Sequence, residues 1–158
     1  KGTLINIVTK GMPRWKIMVS KLILLLVLWT GMYFASYIIT YVYNDFYWDN
    51  DTVNNIFFSV LCLYLFGVWL ISLIMLMSAL ADNSAAVSMG VCGVFLLSYL
   101  LGIIPTVQDY LPTKLKGSSS LIYELAKPAD FTGAIVVVAI WSLADIIMGI
   151  FIFNKKNL

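Results

Sequence analysis

An all-α, polytopic bundle of helices embedded in a lipid bilayer is the fold the sequence predicts, on three observations. Of 158 residues, 61% are hydrophobic and 11% charged, against about 45–50% and about 25% in an ordinary soluble domain. The apolar residues gather in four runs, at about residues 18–43, 56–81, 86–105 and 133–153. Each is ~20 residues or longer, which at ~1.5 Å per residue crosses a ~30 Å hydrocarbon layer. Nor do the runs keep a polar side for water: VLCLYLFGVWLISLIMLM in the second has almost none. A segment in lipid must satisfy its own backbone hydrogen bonds, so each run is read as a helix within one transmembrane domain spanning residues 1–158.

The first twelve residues precede these spans. TLINIVTK sets Leu4, Ile5, Ile7 and Val8 at helical spacing among polar neighbours, which predicts a short amphipathic helix on the membrane face. Gly11 ends it and Pro13 suits the first turn of the next helix, so GMP is an elbow. Arg14, Lys16 and Lys21 then hold the start of the first span at the headgroups, with Trp15 at the same level. The elbow reads either as a plain positive anchor or as a contact for a partner. Lys10, Arg14 and Lys16 suit acidic lipid and an acidic protein groove equally. The chain opens on Lys1 rather than Met, and is read as a segment whose N-terminal part lies elsewhere.

Tyr33, Phe34, Tyr37, Tyr41, Tyr43, Phe46, Tyr47 and Trp48 crowd the far end of the first span, as interfacial rings do. The connection NDFYWDNDTVNN has three Asp and no Lys or Arg. Between spans two and three lies only a tight turn, where Asp82, Asn83 and Ser84 are read as helix caps. Ala86, Gly90, Ser98 and Gly102 place small residues along one side of span three, a pattern that lets helices approach closely. The loop at 106–132 breaks at Pro112 and Gly117; SSLIYELAK then predicts a short amphipathic helix capped by serines, with Leu121, Ile122 and Leu125 on one face, lying at the outer interface.

Asp145 is the sharpest single signal, an ionisable residue near the middle of span four. At that depth it costs several kcal/mol unless paired, protonated or wetted. It is read as an interhelical hydrogen bond that fixes packing, with an ion or substrate contact or a gate as the alternative. No Lys or Arg sits at similar depth in the other spans, so its partner is a hydroxyl, an amide, water or a residue outside this sequence. Cys62 and Cys92 sit at depths differing by roughly 10 Å, too far apart for a disulfide, and are read as free thiols.

Basic residues precede the first span and follow the fourth at Lys155 and Lys156, while the first connection is acidic. The positive-inside rule then puts both ends of the chain in the cytoplasm and the 106–132 loop outside. Lys114, Lys116 and Lys127 in that loop run mildly against the rule. The absence of any His excludes His-based acid–base chemistry and His-ligated metals; two Cys cannot build a structural zinc site; and no G-x-x-x-x-G-K-[ST] loop is present for ATP. No catalytic, cofactor-binding or metal-binding residues are assigned.

Gly2-Thr3, Thr9-Lys10-Gly11, Arg14 and Lys21, followed by four spans, a long last outer loop and a closing IFNKKN, resemble the C-terminal part of an ABC-2 type transporter permease, of the bacterial bacitracin and peptide-export kind. The resemblance implies six spans in the family, of which these are the third to sixth, with two N-terminal spans missing. It implies that residues 1–12 are a cytoplasmic coupling segment in which Gly2, Thr3, Lys10, Gly11, Pro13 and Arg14 meet a separate ATPase subunit, and gives Asp82 a secondary contact at the cytoplasmic turn. ATP and Mg would then be bound by that partner and not by this chain, and a second permease copy would form a homo- or heterodimer in the bacterial cell membrane. The expected function is a permease subunit moving substrate, such as an amphipathic or antimicrobial peptide, by alternating access. The alternative is a non-transporting four-span protein of immunity or sensor type. No enzymatic activity is expected of the chain itself.

Overall fold

The computed structural model describes residues 14–48, 55–81, 83–123 and 126–155. They form helices with no strand among them. The amphipathic segment expected before Pro13 lies outside the described residues, as do Asp82 and Lys156.

Helix α1 runs Arg14–Trp48, 35 residues or about 50 Å. It outlasts the expected 18–43 because nothing breaks it: the apolar run passes into rings stacked in successive pairs, Tyr37 on Tyr41 at 6.0 Å and Tyr43 on Tyr47 at 4.6 Å. Helix α2 is Ile56–Leu80, entered from Asn55 in the left-handed region at φ 55°, a conformation Asn tolerates better than most residues. Helix α3 is Ser84–Leu101, and the Asn83 side chain caps it by accepting from the Ala85 N–H at 3.3 Å. It ends earlier than the expected Pro105. Ile103 and Ile104 bond back to Leu100 and Leu101, three residues away, which tightens the last turn. Ile104 is then extended, as a residue before proline tends to be. Helix α6 is Ala129–Lys155; it starts before the apolar run because Asp130 accepts from the Lys127 N–H at 3.0 Å in the first turn.

These four helices are each long and apolar enough to cross a membrane. α1 and α2 pair antiparallel: Met18 packs with Met75 and Ala79 at one end, while the Tyr33 hydroxyl donates to the Val60 carbonyl at 2.6 Å toward the other. α2 and α6 pair parallel. Ser72 faces Asp145 and Leu76 faces Gly149, the same offset of 73 residues. α2 is the central helix, touching all three others, and its closest association is with α6.

The chain between α3 and α6 forms α4 (Pro105–Gln108), a 3-10 turn over Pro112–Ser118 and α5 (Ser119–Ile122). Short helices are therefore present in the loop. α4 has no buried residue, whereas Leu115 of the 3-10 turn and Leu121 of α5 are fully buried in a core with Cys62, Trp69, Phe131 and Val138. Ser118 does not cap α5 through its side chain. Its hydroxyl donates to the Ser59 carbonyl at 3.2 Å while the Ser59 hydroxyl donates to the Ser118 carbonyl at 3.0 Å. This reciprocal buried pair fastens the loop to the start of α2, each bond contributing on the order of 1 kcal/mol. Cys62 is buried, Cys92 exposed, and both are free thiols.

Candidate functional site

Three places in the bundle gather polar or mechanically connected residues. The first is the seam between α2 and α6. Residues Val138, Ser142, Asp145 and Gly149 recur on one side of α6, and Val138, Ser142 and Gly149 are buried. Across the seam the buried Ser72 hydroxyl donates to the Trp69 carbonyl at 2.7 Å and faces Asp145 Oδ2 at 3.4 Å. A serine hydroxyl has one hydrogen. The short bond to its own helix claims it, which leaves the contact with Asp145 long and weak. Ser142, one turn from Asp145, is buried with no hydrogen-bond partner among the described residues, as is the Trp69 indole N–H. The seam is thus a polar strip inside an apolar bundle, loosely knit.

Interhelical hydrogen bonds in membranes average about 0.6 kcal/mol and reach about 1.7. Asp145→Asn is accordingly expected to change the stability of the purified protein by less than about 1 kcal/mol. Denaturant titration of the detergent-solubilised protein checks this; a loss well beyond that would mean that the carboxylate itself holds the seam.

The second place is the end of the bundle where α1 begins and α6 ends, carrying Lys16, Lys21 and Lys155. Here Met18, Met75 and Ala79 are buried together with Leu22, Ile150, Ile152 and Phe153 packed against them. Gly149 brings α6 onto the α2 backbone: a Cβ there would meet Leu76 Cα at 3.5 Å and Met18 Cε at 3.4 Å. The Lys155 ammonium lies 4.3 Å from the Phe151 ring centroid, a cation–π distance. Of the elbow residues singled out in the sequence, Gly2, Thr3, Lys10, Gly11 and Pro13 are outside the described residues, and Arg14 is the first residue of α1.

The third place is a cleft of about 420 Å³ at the loop end, between Gln108, Asp109, Lys114, Gly117, Asp130 and Phe131. Lys114 pairs with Asp109 and lies 5.5 Å from the Phe131 ring centroid. Asp109 is 64% exposed, so the pair contributes little to stability.

The small-residue stripe of α3 is only partly used. Gly90 admits Met77 of α2, whose Sδ would lie 2.9 Å from a Cβ at that position, and Ser98 is buried. Ala86 is exposed. The tightest approach is at Gly67, against Trp29 of α1, while Gly149 lies in ordinary contact with the α2 backbone. Sequence reasoning did not single these out, since an isolated glycine in an apolar run signals little about which neighbour it admits.

The family model described as ABC-2 family transporter protein matches residues 1–130. The match ends at the first turn of α6, so Asp145 lies beyond it. No curated protein and no solved structure matches the chain.

Proposed function

The chain belongs to the ABC-2 transporter family and is a membrane permease component of an ABC transporter, and from that premise we propose that it exports an amphipathic cargo of the antimicrobial-peptide class, driven by a separate ATPase subunit. ATP and Mg would be bound and hydrolysed there; this chain would convert that partner's closure into helix movement. The observation that carries this reading is the junction at the basic end. Met18 of α1 is packed against Met75 and Ala79 of α2, with Ile150 and Phe153 of α6 on the same cluster. A push on the residues just before Arg14 would therefore reach α2 and α6 together. Close-packed interiors transmit such displacements rather than absorbing them.

Gly2, Thr3, Lys10, Gly11 and Pro13 would receive the push from the ATPase, Asp82 would add a contact at the nearby turn, and Arg14 begins the rod that carries it. A second permease copy would complete the pathway, and alternating access would follow from tilting the bundle. Lys16, Lys21 and Lys155 favour placing this end in the cytoplasm of a bacterial cell.

A pull-down from native membranes tests the partnership: an ATP-binding subunit is expected to copurify. Gly11→Leu combined with Pro13→Leu is expected to leave that complex assembled and hydrolysing ATP while transport is lost. Recovery of the chain without any ATPase would favour the non-transporting four-span protein instead. Full coupling in the double variant would remove the elbow from the mechanism.

A further inference from the structure

A groove of about 290 Å³ opens on the flank of the bundle, between the later half of α1, the first turns of α2 and the loop. It is lined by Ser36, Tyr37 and Thr40 of α1, Leu63 of α2, and Lys116 and Ser119 of the loop. Thr40 donates to the Ser36 carbonyl at 2.9 Å. The hydroxyls of Ser36, Tyr37 and Ser119 and the Lys116 ammonium make no hydrogen bond among the described residues.

Depth decides what these groups meet. Lys21 marks the headgroup level at the basic end. About 20 residues of helix cross the ~30 Å hydrocarbon layer, which brings the far boundary close to Tyr41. Thr40 then stands at that boundary, beside the glycerol esters of the far leaflet, with Tyr37 and Ser36 up to about 8 Å below it. Facing acyl chains alone, their donors would be left unsatisfied, which lipid-exposed structure avoids. Lys116 supplies the only formal charge among the described lining residues, with no carboxylate to neutralise it. Its ammonium lies 5.9 Å from the Phe95 ring centroid, near the limit of cation–π reach, so its flexible stem is weakly held. Toward the bilayer centre the wall is apolar: Leu63 in the groove is 41% exposed, and Met32, one turn along α1 from Ser36, is 73% exposed.

We propose that this groove binds one anionic phospholipid, its phosphate taken by Lys116 and the Ser119 hydroxyl, its glycerol ester oxygens by the hydroxyls of Ser36 and Tyr37, and its acyl chains running down α1 and α2. The site holds on either assignment of sidedness, because it depends only on distance from the basic end.

Native mass spectrometry on the full-length protein, purified with its natural partners and titrated with phosphatidylglycerol or phosphatidylcholine, tests it. One phosphatidylglycerol per chain is expected to bind tightly, and Lys116→Gln to weaken it about tenfold, the loss of one charge-assisted hydrogen bond. Lys114→Gln, a control in the neighbouring cleft, should leave that affinity unchanged. Ser36→Ala with Tyr37→Phe is expected to weaken both lipids, since hydroxyls bind phosphate and ester oxygens without reading net charge. Three results would overturn the proposal: undiminished phosphatidylglycerol binding to Lys116→Gln; displacement of the lipid by glycerol phosphate at equal concentration, which would mark a soluble anion as the ligand; or efficient disulfide cross-linking of a Thr40→Cys variant to a second copy, which would mean protein covers the groove.

Discussion

Gly67→Ala is expected to pry α1 from α2 and to cost the protein about 1–3 kcal/mol, the usual range for overpacking a tight interior. Gly67 is buried in the middle of α2, and a Cβ added there would overlap the six-membered ring of the Trp29 indole. The ring has little room to retreat. Trp29 is stacked toward Tyr33 at 5.5 Å, and Tyr33 is itself anchored through its hydroxyl to the Val60 carbonyl. Thr30 adds a second tie: it donates to the Leu26 carbonyl at 2.7 Å, so the Tyr64 hydroxyl must supply the hydrogen in their 3.0 Å contact. The steric term should show in denaturant titration of the detergent-solubilised protein. A double variant supplies the decisive comparison. Trp29→Ala removes the overlapping ring, so Gly67→Ala should cost less in that background than in the wild type. Equal costs in the two backgrounds would mean that the indole is not what the glycine accommodates.

Leu115→Asp is expected to release the loop between α3 and α6 from the bundle, at a cost of several kcal/mol for moving a carboxylate out of water. Leu115 is 0% exposed and shares its core with Cys62, itself 0% exposed. The readout follows from that neighbourhood. With Cys92 replaced by Ser, the Cys62 thiol should be unreactive toward a water-soluble maleimide in the parent and become reactive in Leu115→Asp. Gly117→Asp is the matched control, since a side chain there meets nothing within 4 Å. If Cys62 stays protected in Leu115→Asp, the loop is not what covers it.

The four spans could be read from the sequence because length and hydropathy suffice for them; lipid demands a helix wherever an apolar run is long enough. The ends were less legible. α1 outran its apolar window to Trp48 through ring stacking, and α3 stopped at Leu101 under the influence of Pro105. Neighbour relations were not legible at all. In water an apolar stripe tells which side of a helix packs, whereas α2 is apolar all round and Trp69, fully buried, looks in the sequence no different from Phe57, which is 80% exposed. The loop's short helices were legible, but not that Leu115 and Leu121 enter the core, because the two are carried by a 3-10 turn and α5 rather than spaced by one helical period. Asp145 was visible as an oddity of residue type. Its neighbour Ser72 was not, because a serine inside an apolar run is common and its opposite number is 73 residues away.

That separation of 73 residues between the two parallel helices has a consequence for how the protein is made. At roughly 5–20 residues per second, the ribosome delivers α6 some 4–15 s after the matching part of α2 has emerged. Throughout that interval the side of α2 that will meet α6, Ser72 included, has only lipid or the insertion machinery as company. Truncation products ending before Ala129 should therefore linger beside the insertase or be degraded, and the nascent chain should leave the translocation site only once its last hydrophobic segment has arrived.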